Sequence, residues 1–141
     1  MDEAAFRARV VAEALTWLGT PYHHHAQIRG VGVDCAHLLI GVYHACGRIP
    51  ALEPGDYPTD WHLHHSEELF VGWMQRYARP GAGEPMAGDA FLFRFGRTFS
   101  HGAIYIGGDE VVHAYIGMGV IRSRFAEAPI AGRDRLHWSM W

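Results

Sequence analysis

Three side chains in this sequence carry the chemistry of a nucleophile and its base. Cys35 follows Asp34 and opens an apolar run (Leu38, Leu39, Val42, Cys46) that reads as a helix. His101 and His113 come much later, twelve residues apart on consecutive strand-like segments. A thiol at the first helical position feels unpaired amides and the positive dipole end. That placement lowers a thiol pKa and sets donors near a developing oxyanion. A histidine at the start of a neighbouring strand can then deprotonate the thiol, and a second polar side chain can fix its tautomer. His101 and His113 suit these roles if they face the same side of the hairpin that turns at Gly107 to Asp109. Their register is open at this level. Direct opposition needs a turn centred on Gly107, whereas a tight Gly108-Asp109 turn displaces the pair by three positions. The plain alternatives are a buried structural cysteine and a packed sheet histidine.

The elements that must position these groups follow from periodicity. Residues 2–18 read as an amphipathic helix, with Phe6, Val10, Ala14 and Leu18 at fourfold spacing and Val11 and Leu15 widening the stripe. Asp2 and Glu3 suit its positive end, and Gly19 with Pro21 stops it. The glycine-punctuated segment 19–33 reads as loop. Asp34 is a natural N-cap for a helix over 35–46, with Gly47 just past its end. Its apolar face carries Cys35, Leu38, Leu39, Val42 and Cys46, and its opposite face His37 and His44, read as solvent-facing. Residues 48–65 form a long turn-rich connection, a kind that is often functional. Ser66 can cap a helix over 67–78 whose stripe is Phe70, Trp73, Met74 and Tyr77. The period then changes. Segments Ala90–Phe95, His101–Ile106, Glu110–Ile116, Val120–Phe125 and a last Leu136–Trp141 read as strands between turn residues. Helices first and antiparallel strands afterwards predict an α+β domain, with helices packed on a meandering sheet.

The chain of 141 residues, 49% hydrophobic, predicts one domain over 1–141 with a real core. Its net charge of −3 comes without a basic block, which argues against nucleic acid as a partner. The two cysteines stand roughly 16 Å apart along one helix at 1.5 Å per residue, beyond disulfide reach, so Cys35 is expected as a free thiol. No secretory signal or membrane span is visible, which predicts synthesis as a soluble cytoplasmic product.

Leu18-Gly19-Thr20-Pro21-Tyr22, Asp34-Cys35, Ser100-His101-Gly102-Ala103-Ile104-Tyr105-Ile106-Gly107 and Val112-His113-Ala114, in this order, resemble the NlpC/P60 cysteine peptidases. Ala87-Gly88-Asp89 likewise resembles the Pro-Gly-Asp segment that opens that family's sheet. The resemblance spans about residues 5–125 and implies a papain-like fold and cleavage of peptides in bacterial cell walls. It implies Cys35 as nucleophile, His101 as base and then acid, and His113 as the orienting third residue. Tyr22 is implied beside the thiol as a donor to the carbonyl or oxyanion, and Asp34 as helix cap and holder of a substrate amine. Asp89 looks structural. The γ-D-glutamyl linkage to a diamino acid is the implied bond, peptidoglycan peptides the implied partner, and no cofactor is called for. Where many members have Asp-Cys-Ser-Gly, this chain has Asp34-Cys35-Ala36-His37, losing a hydroxyl that helps anchor the substrate's amine. Its longer Tyr22-to-Asp34 segment resembles the branch associated with phage tails and gene-transfer particles, which implies particle proteins as partners and action at the cell wall. A catalytically degenerate domain serving as a tail component, or a transferase using the same thioester, is the competing reading.

Eleven histidines raise the question of a metal. His23, His24 and His25 form one group and His62, His64 and His65 another, but neither has the helical spacing of a zinc protease, and consecutive loop residues diverge. Exposed local clusters are the simpler reading, and no metal is assigned. His23, His24 and His25 instead read as lining the cleft beside Tyr22. Trp17 and Trp73 read as packing residues, and Trp61, in the long connection, as a substrate wall.

Overall fold

The structure, a computed structural model, describes residues 1–54 and 69–141. Its first helix, α1 (Glu3–Leu15), starts where the Asp2 carboxylate accepts the Ala5 N–H at 2.7 Å. Phe6, Val10 and Ala14 are buried on one face. The helix ends at Leu15, three residues earlier than the spacing predicted. Leu18 therefore leaves the stripe and is 38% exposed. The second helix, α2 (Cys35–Ala45), is capped by Asp34, whose side chain accepts the His37 N–H at 2.9 Å. Gly47, with φ +75°, closes it: its N–H reaches the His44 carbonyl while the Arg48 N–H reaches that of Tyr43. This reciprocal pair satisfies the last-turn carbonyls and needs a left-handed residue, which glycine adopts without strain. The third helix, α3 (Leu69–Tyr77), buries Phe70 and Met74 and half-buries Trp73 and Tyr77.

Among the described residues the sheet has six antiparallel strands, β3 (Arg79–Pro80), β4 (Ala90–Phe95), β5 (Thr98–Gly107), β6 (Glu110–Tyr115), β7 (Gly119–Arg124) and β8 (Arg135–Ser139), in the order β3-β8-β4-β5-β6-β7. A small hairpin of β1 (Gln27–Ile28) and β2 (Gly32–Val33) lies within the segment read as loop. Two-residue strands show no alternation in sequence, so neither this hairpin nor β3 was legible there.

The helices pack together against one face of the sheet, where Val10, Leu38, Val42, Leu92 and Ile104 share the main core. Phe91, Phe93, Ala103, Tyr105, Val111 and Ile130 form a second cluster, the alternate residues of β4 and β5 supplying most of it. Helix side chains press on the sheet at Gly102. A Cβ there would fall 2.5 Å from the Phe70 ring and 3.1 Å from Leu39. The N-terminal helix is pinned to the sheet by a buried pair: Arg7 donates to Asp89 at 2.6 Å, and the other Asp89 oxygen meets His137 Nε2 at 2.6 Å. Asp89 thus has the structural role read from the sequence.

Candidate active site

Cys35, the first residue of α2, is 7% exposed. Its thiol donates to the Ser100 carbonyl at 3.6 Å, and the Gly102 amide also bonds to it. Ser100 and Gly102 flank His101, so the sulfur rests against the part of β5 that carries this histidine. The expected lowering of the thiol pKa is overturned. Burial first, and the Asp34 charge next, push it up to about 12, against the amides of Gly102, Ala36 and Cys35 that favour the thiolate. The helix start supplies its donors, but removing the sulfur from water outweighs them. At rest this is a thiol, and ionising it requires a base.

The two strand histidines meet. His101 Nε2 lies 2.7 Å from His113 Nδ1, with the rings edge to face at 5.0 Å between centroids. The register explains how. A two-residue turn at Gly108-Asp109 sets Gly107 opposite Glu110, which alone would put the histidines three positions out and on opposite faces. A bulge between Tyr105 and Gly107 absorbs one residue, so the pairing becomes Tyr105 with Val111 and Ile104 with Val112. Continuing that register places Ala103 opposite His113, with His101 its diagonal neighbour on the same face.

Beyond this pair stands a residue that the sequence reading missed. His113 Nε2 lies 2.8 Å from the hydroxyl of Ser123 on β7, and both side chains are buried. Ser123 pairs with Val111, two positions from His113, so it repeats the diagonal relation of the histidines. The one available signal was a hydroxyl at an inward position of a strand. Burial lowers the His113 pKa to about 4, so its imidazole is neutral near pH 7.

Tyr22 is placed by its segment pairing with Val33 of β2. The Val33 N–H donates to the Pro21 carbonyl, and the His23 N–H donates to that of Val33, at 3.0 Å each. Burial, then the neighbouring Cys35 and Asp34, raise the Tyr22 phenol well above its usual pKa, which keeps it a hydrogen-bond donor. Asp34 is almost fully buried, and its carboxylate holds its own surroundings together. Besides the His37 N–H it accepts the His25 N–H at 2.9 Å and meets His37 Nδ1 at 2.8 Å, with His24 Nδ1 at 3.9 Å. His37, expected on the solvent face, is 3% exposed. Helical periodicity could not anticipate this, because the ring is drawn to Asp34 and the 23–25 loop sets His25 against it, 5.5 Å between centroids. His24 and His25 are half-buried beside Tyr22, His23 is exposed, and His44 faces outward as expected. Trp61, His62, His64 and His65 lie outside the described residues, as does Ser66.

No protein-family model matches this chain, and no curated protein does. Solved structures do. The NlpC/P60 domain of the peptidoglycan hydrolase SagA aligns over 92% of this chain and 96% of its own, at 21% identity and a TM-score of 0.61. NlpC1 from Trichomonas vaginalis aligns over 99% of this chain at 17% identity with a TM-score of 0.69, and the chain spans 46% of its length. The peptidoglycan hydrolase RipB from Mycobacterium tuberculosis gives 18% identity over 99% of this chain and 68% of its own, TM-score 0.64. At these identities the likeness is one of fold: helices packed on an antiparallel sheet in the papain-like NlpC/P60 architecture. Among the described residues, no helix is long and apolar enough to cross a membrane.

Proposed function

We propose that this chain, as one catalytic domain over 1–141, is a cysteine peptidase that hydrolyses peptide bonds in bacterial peptidoglycan stem peptides through a thioester. The observation that carries the reading is the contact of Cys35 with the Ser100 carbonyl, beside a histidine hydrogen-bonded onward to His113 and Ser123. The shared fold with domains of peptidoglycan hydrolases supports the substrate class.

The chemistry follows from the protonation states. A neutral His113 has one N–H. If Nε2 holds it and donates to Ser123, Nδ1 accepts from His101 Nε2–H, and His101 Nδ1 is left proton-free. That nitrogen takes the Cys35 proton as sulfur attacks the peptide carbonyl. The Cys35 amide at the helix start and the Tyr22 hydroxyl stabilise the oxyanion. His101 then protonates the leaving amine, the C–N bond breaks, and a thioester remains on Cys35. His101 next deprotonates a water, which attacks the thioester and releases the acid and the thiol. The γ-D-glutamyl bond to a diamino acid, with Asp34 holding the amine and His23, His24 and His25 lining the cleft, rests on the sequence resemblance. So does delivery to the wall by a phage tail or gene-transfer particle.

Buried, protonated sulfur is also what a catalytically silent domain of this fold retains, so the chemistry has to be tested on product. Mass spectrometry of muropeptides after incubation should find new amino and carboxyl termini at one peptide bond. Transfer to an added amine without free acid would mark a transferase instead, and unchanged muropeptides would refute the reading.

A further inference from the structure

We propose that His25, His37 and Glu53 form a binding site for a divalent metal ion of the zinc class. The nitrogen and oxygen donors of the three side chains all lie within 4.8 Å of one another. They converge from three parts of the chain: the histidine-rich loop, the first turn of α2 and the segment after Ile49. No short motif joins them, which is why spacing alone assigned no metal.

The support around these donors is what a metal histidine requires. His37 Nδ1 sits 2.8 Å from the Asp34 carboxylate, and both side chains are nearly fully buried. A carboxylate on one ring nitrogen of a metal-binding histidine fixes the tautomer and raises the basicity of the other nitrogen. The other Asp34 oxygen accepts the His25 N–H at 2.9 Å. His25 itself holds φ at +63°, a backbone geometry that costs energy outside glycine. One buried carboxylate therefore aims the His37 imidazole and holds the backbone that carries His25, and the two rings stand 5.5 Å apart. Glu53 adds the oxygen donor and a negative charge; being exposed, its side chain can rotate. A tetrahedral ion with bonds of about 2.0–2.1 Å needs donors roughly 3.3 Å apart. Binding would draw the donors in from their present separation of up to 4.8 Å, chiefly by rotation of the exposed Glu53 side chain. Two histidines and a carboxylate leave a fourth position for water or a ligand group. The bound ion would tie the histidine-rich loop to α2 two residues from Cys35. The site shares His25 and Asp34 with the proposed substrate cleft, but the donor geometry that supports it does not depend on the peptidase reading.

The test is calorimetric titration of the full chain with Zn²⁺ alone, paired with the visible spectrum of the Co²⁺ form. One equivalent should bind, with a four-coordinate Co²⁺ spectrum lacking thiolate charge transfer. Glu53→Gln, at an exposed position that does not threaten folding, and His37→Ala should each weaken binding at least about tenfold. Asp34→Asn should weaken it by about 10–100-fold, the range for a group behind a metal histidine. His23→Asn, on the exposed neighbour, should bind as wild type. The inference is overturned if Glu53→Gln binds like wild type, if thiolate bands appear, or if no stoichiometric uptake occurs.

Discussion

Cys35 lies where a helix start offers amides, yet its environment keeps it protonated. Its reactivity should therefore depend on a partner rather than on a standing thiolate. Because burial and Asp34 push its pKa up to about 12, alkylation of the substrate-free protein by iodoacetamide should be slow at pH 7 and quicken steadily toward alkaline pH. Rapid, pH-independent labelling between pH 6 and 8 would contradict that. Ser123 is the least expected member of the site and the easiest to isolate. On the proposed tautomer, Ser123→Ala takes the acceptor from the His113 Nε2–H, a buried vacancy worth about 1–3 kcal/mol. The competing tautomer then puts the proton on His101 Nδ1, the nitrogen proposed to accept the one from Cys35. Turnover should fall about 5- to 100-fold with KM little changed, and Ser123→Thr should restore most of it. Equal loss in Ser123→Thr would mean that the hydroxyl acts through packing alone.

At the scale of elements, the site depends on three junctions, and they differ in how far the sequence announced them. The start of α2 was fully legible, because a cap such as Asp34 and a closing glycine such as Gly47 are local chemistry. The alignment of the histidines was not. It turns on a bulge at one residue, 106, which leaves no mark in composition and changes a three-position offset into a two-position one. The burial of His37 was hidden for a similar reason: a helical wheel knows nothing of a loop folded over it. The third junction is Gly102, where the sheet passes under Phe70 and Leu39. Gly102→Ala should cost about 1–3 kcal/mol by overpacking, read as a lower urea midpoint with unchanged slope. Phe70→Leu in the same chain should recover part of that loss, a non-additivity expected of touching residues. If the two changes simply add, the close approach is not what the glycine is for.

For the whole molecule, helices before strands was enough to read the α+β architecture, since the apolar period changes once and each element buries its stripe against the other layer. What could not be read was the cost of burying the relay. His113 is driven from 6.5 to about 4 by burial alone. The unfolded chain therefore binds the extra proton first, and between those values stability falls as pH falls. The contribution is fully present above pH 6.5 and is lost as pH drops through 4, at about 3 kcal/mol for a shift of this size. Denaturation followed across pH 4 to 7 should show that slope in the wild type and a shallower one in His113→Asn. A parallel dependence in both would place the acid sensitivity elsewhere. The proposed peptidase activity requires Cys35 to form a covalent thioester with the peptide it cleaves. The most direct test incubates purified muropeptides with the wild-type protein and with Cys35→Ala, and follows both peptide and intact-protein mass. The wild type should give cleaved peptide and a transient acyl adduct on Cys35, and Cys35→Ala neither. Cleavage by Cys35→Ala at the wild-type rate would contradict it.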